Sequence, residues 1–449
     1  MKKIYNKLEN FTSFIPNLSF FFSSNFLTQL TSFVVILLFA RNYSSIEFGK
    51  FTVAQTIFFL LYSISFSNIH YYLNRSLSEC FQNRRKEIGS CFLITFYTSC
   101  ILYIVLAFFL NFLNLDKELK YLILIINLIL IAEPFSIFYS ELFVRGQFRT
   151  IFKIKFIQNL IFFSLKYFVI VNKYNYLYIA LCYLLEYIFF AGIIIYYYKK
   201  NGNQFSKLIL NFNEAYKLVK KIFLLPVLSL IFLISIRIDV LMIGKLIDIE
   251  SSGFYSSASR LVIIVLIYST LFLQFLYPNM SRLKMDNLKL EDIYQNIISL
   301  AILVGVSFFI FSYFFSELYL SLFGFKFLIA NEALLILSFN LLFALIYNIW
   351  VHKNLLYNNY STILTFHLCV VILNIILNFY MIDLYGIKGA AISTMVSGII
   401  SFLIVNMYKP NEILNVVKSI SFIRFFLIIK KIYNIFIINI FTKKDNSKS

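Results

Sequence analysis

The chain has 449 residues, 60% of them hydrophobic and 14% charged, which is far more apolar surface than a water-soluble core of this size can hide. That excludes a soluble globular protein and makes a membrane the solvent. The formal charge of +19, which in a soluble chain would point to nucleic acid, then becomes a question of which side of the bilayer carries the basic residues, and no nucleic-acid partner is expected.

Crossing a hydrocarbon core takes about 20 apolar residues. Lys2, Lys3 and Lys7 precede an apolar run from about Leu18 to Ala40, which lacks a small-residue cleavage site and is expected to stay as the first span. Runs at 51–73, 88–112, 121–144, 151–171 and 176–198 complete a first half, 1–198. A basic segment, 199–221, links it to a second half, 222–408, with runs at 222–243, 254–277, 294–316, 329–351, 360–382 and 387–408. A basic tail, 409–449, follows; its apolar stretch 419–441 is interrupted by Arg424, Lys430 and Lys431 and reads as an interfacial amphipathic helix rather than a further crossing. The expected fold class is an all-α membrane protein with about 12 transmembrane helices in two pseudo-symmetric six-helix bundles.

With the N-terminus inside, 29 of the 40 Lys and Arg residues fall on the inner side, eight fall outside, and three, Lys166, Arg237 and Arg260, lie within spans. This positive-inside bias places both termini in the cytoplasm. Trp350 is the single tryptophan, so an interfacial aromatic belt has to be built from tyrosine.

The two halves carry a weak repeat. GKFTVA (49–54) aligns with GFYSSA (253–258), each glycine following a polar turn and suiting a tight turn that opens a close-packed helix. NKYNYLYIA (172–180) and DLYGIKGAA (383–391) occupy the turn before the sixth span of each half. Because six is even, both halves enter the membrane with the same orientation and are related by an axis along the membrane normal.

Charges at mid-membrane cost about 2.5 to 3.5 kcal/mol each and are functional candidates by default. Arg237 stands eight residues before Lys245, about 12 Å deep at 1.5 Å per residue, and Asp239 is about 200° round the helix from it, so each needs a partner on another element. Arg237 can meet a phosphate with two parallel hydrogen bonds while Asp239 moderates that charge or carries a coupling cation; an interhelical ion pair is the structural alternative. Arg260 either joins the same cavity or snorkels, and Lys166, near the outer end of its span, reads mainly as a snorkelling residue and secondarily as a substrate contact. Pro134, next to Glu133, and Pro226 are expected kinks, with Glu133 and Glu186 as candidate coupling acids. Glu141 and Arg145, spaced i to i+4, are expected to pair at the inner surface. Five cysteines, Cys80, Cys91, Cys100, Cys182 and Cys369, form no C-x-x-C pair, and His70, His352 and His367 are scattered, so neither a metal nor a cofactor is expected.

Four stretches carry a family resemblance: ARNYSSIEFGKF (40–51), RIDVLMIGKLIDIESSGFYSSASRLV (237–262), LFGFKFLIANEALLIL (322–337) and NIILNFYMIDLYGIKGAAISTMVSGII (374–400). In that order they resemble the polysaccharide, or O-antigen, flippases of the superfamily that also holds the MATE multidrug exporters and the lipid II flippases. The resemblance implies a MATE-like fold in the inner (cytoplasmic) membrane, two lobes rocking around a cationic cavity, and a polyprenyl-diphosphate-linked oligosaccharide as substrate. It implies transport rather than catalysis, with membrane lipid and the polysaccharide polymerase machinery as partners. The sequence departs from the pattern in being unusually aromatic and Asn-rich, with few cavity charges. A multidrug or small-cation antiporter on the same fold is the alternative, and deep arginines favour the diphosphate. An ATP-driven pump is excluded by the lack of a phosphate-binding G-x-x-x-x-G-K-[ST] loop.

Overall fold

The computed structural model describes residues 2–66, 69–79, 84–202, 208, 210–282, 287–357 and 359–408, and the regular elements among them are helices. In chain order these are α1 (Lys2–Asn42), α2 (Ser45–Ile64), α3 (His70–Glu79), α4 (Arg84–Phe112), α5 (Lys117–Asn127), α6 (Ile129–Ala132), a 3-10 stretch (Glu133–Phe138), α7 (Tyr139–Val144), α8 (Phe148–Val171) and α9 (Leu177–Lys200). There follow α10 (Phe212–Ile222), α11 (Leu224–Leu246), α12 (Ile249–Arg282), α13 (Asn287–Ser321), a second 3-10 stretch (Phe325–Ala330), α14 (Asn331–Leu356) and α15 (Tyr360–Tyr408). The apolar stretch expected as an interfacial helix, 419–441, and the rest of the tail lie outside the described residues.

Ten helical segments among the described residues are long and apolar enough to cross a membrane, which makes this a multi-pass membrane protein. One of them is α15, whose 49 residues are about twice what a bilayer requires. It is two helices: Gly386 has φ 58°, and Asn374 reaches Thr394 at 3.3 Å, so the chain folds back on itself around the glycine. The expected eleventh and twelfth spans therefore both fall in α15. The expected second span falls on α2 and the start of α3, with residues 67 and 68 outside the described set, and α2 is not among the ten.

The chain forms two compact units, residues 1–256 with 322–326, and residues 257–321 with 327–449. Accordingly α11 and the first turns of α12 group with the first unit, whereas the sequence-level division lies at 199–221. In that unit α1 packs along α8, α2 along α5 and α11, and α8 along α9. The start of α2 is fixed by a capping box, in which Ser44 Oγ accepts from the Glu47 amide and Glu47 returns to the Ser44 amide at 2.9 Å. A cluster of Leu73, Leu77, Ile88, Ile94, Phe138 and Tyr198 joins α3, α4, α9 and the first 3-10 stretch. The basic segment expected as a linker holds α10, which buries Ala215, Leu218 and Ile222 and packs on α4, with Lys86 on Glu214 at 3.1 Å.

In the second unit α13, α14 and α15 pack in sequence. Polar groups inside it are matched to each other: Asn348 donates to Thr270 at 3.1 Å, and the Tyr319 hydroxyl to the Ser257 carbonyl at 3.0 Å. The aromatic excess of the composition goes largely outward, with Phe108, Phe109 and Phe112 on α4 and Tyr313 and Phe314 on α13 exposed where lipid is the neighbour.

Candidate functional site

The residues singled out for the site fall in both units, and the first unit holds most of them. Arg237 lies half-buried on α11 with its guanidinium 4.8 Å from the centre of the Phe59 ring on α2, a cation–π contact. Asp239, 1% exposed, accepts a hydrogen bond from the Tyr255 hydroxyl on α12 at 2.5 Å. The two side chains leave α11 toward different helices, as their 200° separation requires. Arg260 belongs to the second unit, half-buried on α12 and acting electrostatically on Tyr319.

Lys166 is not a snorkelling residue. It is 4% exposed and forms an ion pair with Glu186 across α8 and α9, with its ammonium 3.6 Å from the centre of the Tyr183 ring and Gln158 3.4 Å from the other carboxylate oxygen. The lysine faces the bundle instead of the membrane surface because a carboxylate and an aromatic face await it there, which in a low-dielectric interior outweighs the reach to water. Glu186 thereby gains the polar partner that its isolated position in the sequence could not identify.

Glu133 is 7% exposed and accepts from Tyr62 on α2 at 3.2 Å and from Ser136 at 2.9 Å. Pro134 does interrupt its span: the helix stops at Ala132 and runs as a 3-10 stretch to Phe138 before resuming as α7. Pro226 does not kink its span. It stands in the first turn of α11, where a proline's missing N–H has no intrahelical acceptor to lose. Glu141 pairs with Arg145 as the spacing implied, at 2.9 Å to Nε and 2.5 Å to Nη2, and Arg84 adds a contact at 4.0 Å.

The aromatic rings tie these groups into one face. Phe58 on α2 lies 5.8 Å from Tyr62 and 6.4 Å from Tyr187 on α9, and Phe51 lies 5.8 Å from Tyr183. The sequence reading missed a second polar patch between α1 and α8. Lys155 donates to Asn25 at 2.9 Å, Thr31 to Asn159 at 2.7 Å, and Asn159 to Thr28 at 3.1 Å. Lys155 had been assigned to an inner loop, but it stands two turns inside α8. Its spacing with Asn159, Phe162 and Lys166 is that of one helix face, a signal available in the sequence.

Such a lining of rings, hydroxyls and amides, with a few paired charges, can stack on and hydrogen-bond a polyhydroxylated ligand. Among the described residues no group of three or more His, Cys, Asp or Glu has the arrangement to hold a metal. Four cysteines, Cys91, Cys100, Cys182 and Cys369, are free thiols, and Cys80 lies outside the described residues.

Residues 14–284 match the family described as polysaccharide biosynthesis protein. No curated protein matches the chain. Among solved structures, the fold is similar to that of the lipid II flippase MurJ in an inward closed conformation, with a TM-score of 0.69 and 19% identity over 89% of both chains. It is also similar to a multidrug resistance MATE family transporter of the MOP superfamily in an inward-facing conformation, with a TM-score of 0.68 and 11% identity over 88% of this chain and 96% of that one. A variant of the Vibrio cholerae MATE transporter VcmN gives 0.62 and 14%, over 91% of this chain and 98% of the other.

Proposed function

The chain belongs to the polysaccharide biosynthesis protein family and is a membrane flippase or transporter of the MOP superfamily, and from that premise we propose that it moves a polyprenyl-diphosphate-linked oligosaccharide from the cytoplasmic to the outer leaflet. The product serves surface polysaccharide synthesis, as O-antigen, capsule or exopolysaccharide. The protein resides in the inner membrane with both termini cytoplasmic, and works by alternating access without making or breaking a covalent bond. Arg237 and Arg260 take the diphosphate, and Asp239 and Lys166 complete the binding set.

The observation that carries this reading is the family match, which spans more than half of the chain. Arg237 supports it: a half-buried guanidinium on a membrane helix beside an aromatic ring is suited to hold a phosphate by two hydrogen bonds. The likeness of the fold to multidrug transporters favours a second reading, export of a drug or small cation.

Complementation of a strain lacking its surface-polysaccharide flippase, comparing wild type with Arg237→Ala at matched membrane abundance, tests the proposal. Restored surface polymer with wild type and none with the variant is the expected result. Well-expressed wild type that fails there but confers resistance to cationic drugs replaces the flippase by the exporter.

A further inference from the structure

The first unit holds three buried acids in its described part, and they are satisfied differently. Glu186 is held by the Lys166 ammonium, and Glu141 by Arg145 and Arg84. Glu133 is ion-paired to no Lys or Arg among the described residues and takes its hydrogen bonds from hydroxyls. An ammonium or guanidinium can serve only a carboxylate anion, whereas a serine hydroxyl can donate to the anion or accept from the neutral acid.

Beyond Ser136 the hydrogen bonds continue. Ser136 Oγ lies 3.0 Å from His70 Nε2, and His70 Nδ1 lies 3.0 Å from Ser140 Oγ. Since Ser136 donates to Glu133, its oxygen accepts from His70 Nε2–H, which leaves Nδ1 to accept from the Ser140 hydroxyl. The chain Ser140, His70, Ser136, Glu133 is therefore directed, with each hydrogen pointing toward the carboxylate. The 3-10 stretch makes it possible, because Pro134 breaks the regular helix where Glu133 and Ser136 meet His70 from the start of α3.

We propose that Glu133 is a proton-binding site loaded through Ser136 and His70, and that the proton is the ligand coupled to transport. A water-borne proton accepted at Ser140 Oγ is matched by the Ser140 proton passing to His70 Nδ1, the His70 Nε2 proton passing to Ser136, and the Ser136 proton passing to Glu133. One positive charge is thus moved to the carboxylate, which becomes neutral, and the imidazole exchanges tautomers. Other titratable groups frame the site. Tyr62 faces it from α2 and Tyr187 from α9, while α4 presents Phe92 to the Phe135 and Phe138 rings and carries Glu87, which accepts from Tyr72 of α3 at 3.3 Å. On the far side α7 holds the Glu141–Arg145 pair, and Lys155 of α8 lies 5.9 Å from the Tyr139 ring. The coupling of the proton to movement rests on the transport reading above; the proton site does not.

Infrared difference spectroscopy of the purified protein in nanodiscs, without substrate, from about pH 5 to about pH 8, reads the site directly. The expected result is a buried carboxylic-acid carbonyl band that titrates in wild type, is absent in Glu133→Gln, and is shifted but present in Glu133→Asp. Ser136→Ala and His70→Phe keep the band and slow its exchange into D2O. Translocation driven by a pH gradient falls about tenfold or more in Glu133→Gln. The proposal is overturned by a band that survives in Glu133→Gln, by sodium replacing the proton at constant pH, or by wild-type exchange rates in both relay variants. Because the titration needs no substrate, a failed complementation leaves the proton site standing, and a missing band leaves the flippase standing.

Discussion

Gly253 lies against Gly49: a methyl group added to Gly253 would sit 3.1 Å from the Gly49 amide nitrogen, and one added to Gly49 would sit 2.0 Å from the Ile249 carbonyl oxygen. These are the two glycines that the repeat aligns. The same 204-residue offset relates the helix starts, with Ser44 bonded to the Glu47 amide at 3.2 Å and Asp248 to the Ser251 amide at 2.6 Å. Ser45 on α2 and Glu250 on α12 are hydrogen-bonded beside the glycines. The repeated motif thus makes two matching helix starts that touch through bare backbone.

Gly49→Ala should cost about 1 to 3 kcal/mol by overpacking and force α2 away from the start of α12. Gly253→Ala should cost less, since its nearest neighbours are at 3.1 Å and include the mobile ring of Phe48. Ser45→Cys with Glu250→Cys offers a direct reading: the disulfide should form readily in an otherwise wild-type background and slowly with Gly49→Ala. Equal rates would show that the helices do not rely on the close approach.

The buried pair of Lys166 and Glu186 makes an asymmetric prediction. Lys166→Met or Glu186→Gln alone should destabilise by about 3 to 5 kcal/mol, because an uncompensated charge or amide is left inside. Both changes to Met together should restore most of that loss. Thermal unfolding in nanodiscs of the three variants checks it, and a double variant as weak as either single would mean that packing rather than charge holds the site.

Asp116 stands before α5, outside the spans, and is bonded to Lys50. The Lys50 ammonium beside it holds its carboxyl below the usual carboxylate range. A depressed value in the folded state means that the contact supports the fold above the unfolded pKa of about 4 and loses that effect as pH falls through the lower folded value. Asp116→Asn should therefore flatten the acid side of the stability profile and leave neutral pH nearly unchanged, and high salt should narrow the difference. A melting curve against pH with and without salt measures both.

The two prolines should behave oppositely. Pro226→Ala, in the first turn of α11, should shift stability by about 1 kcal/mol or less. Pro134→Ala permits a regular helix through Glu133–Phe138 and should impair complementation at normal abundance by moving Glu133 and Ser136 out of register. Comparable activity in both variants would remove the functional meaning of the 3-10 stretch.

The spans were legible because hydrocarbon thickness imposes a length on apolar runs, and the fold-back within α15 was legible in DLYGIKG. What was hidden depended on which helix lies beside which. Lys166 and Glu186 are 20 residues apart on different helices, and nothing local in either stretch names the other. Lys155 was misplaced because its charge was counted before its helical phase. The grouping of α11 with α2 follows from packing of small residues across some 200 positions, which periodicity within a helix does not report. Pro134 and Pro226 looked equivalent in sequence and differ only in their distance from a helix start.

The fold-back at Gly386 has a consequence for biogenesis. Asn374, Asn378, Ser393 and Ser397 are buried in α15, and Asn374 reaches Thr394 and Ser397 on the returning arm, while a methyl on Gly389 would collide with the Met381 carbonyl. A first arm released alone into lipid would carry its asparagines with no cross-arm donor or acceptor. Held until the second arm emerges from the ribosome, the two can enter together as a hairpin with those amides already facing hydroxyls. The final pair of crossings is thus built to be delivered as one unit, and a ribosome stalled between the arms would leave the least insertable part of the chain at the membrane.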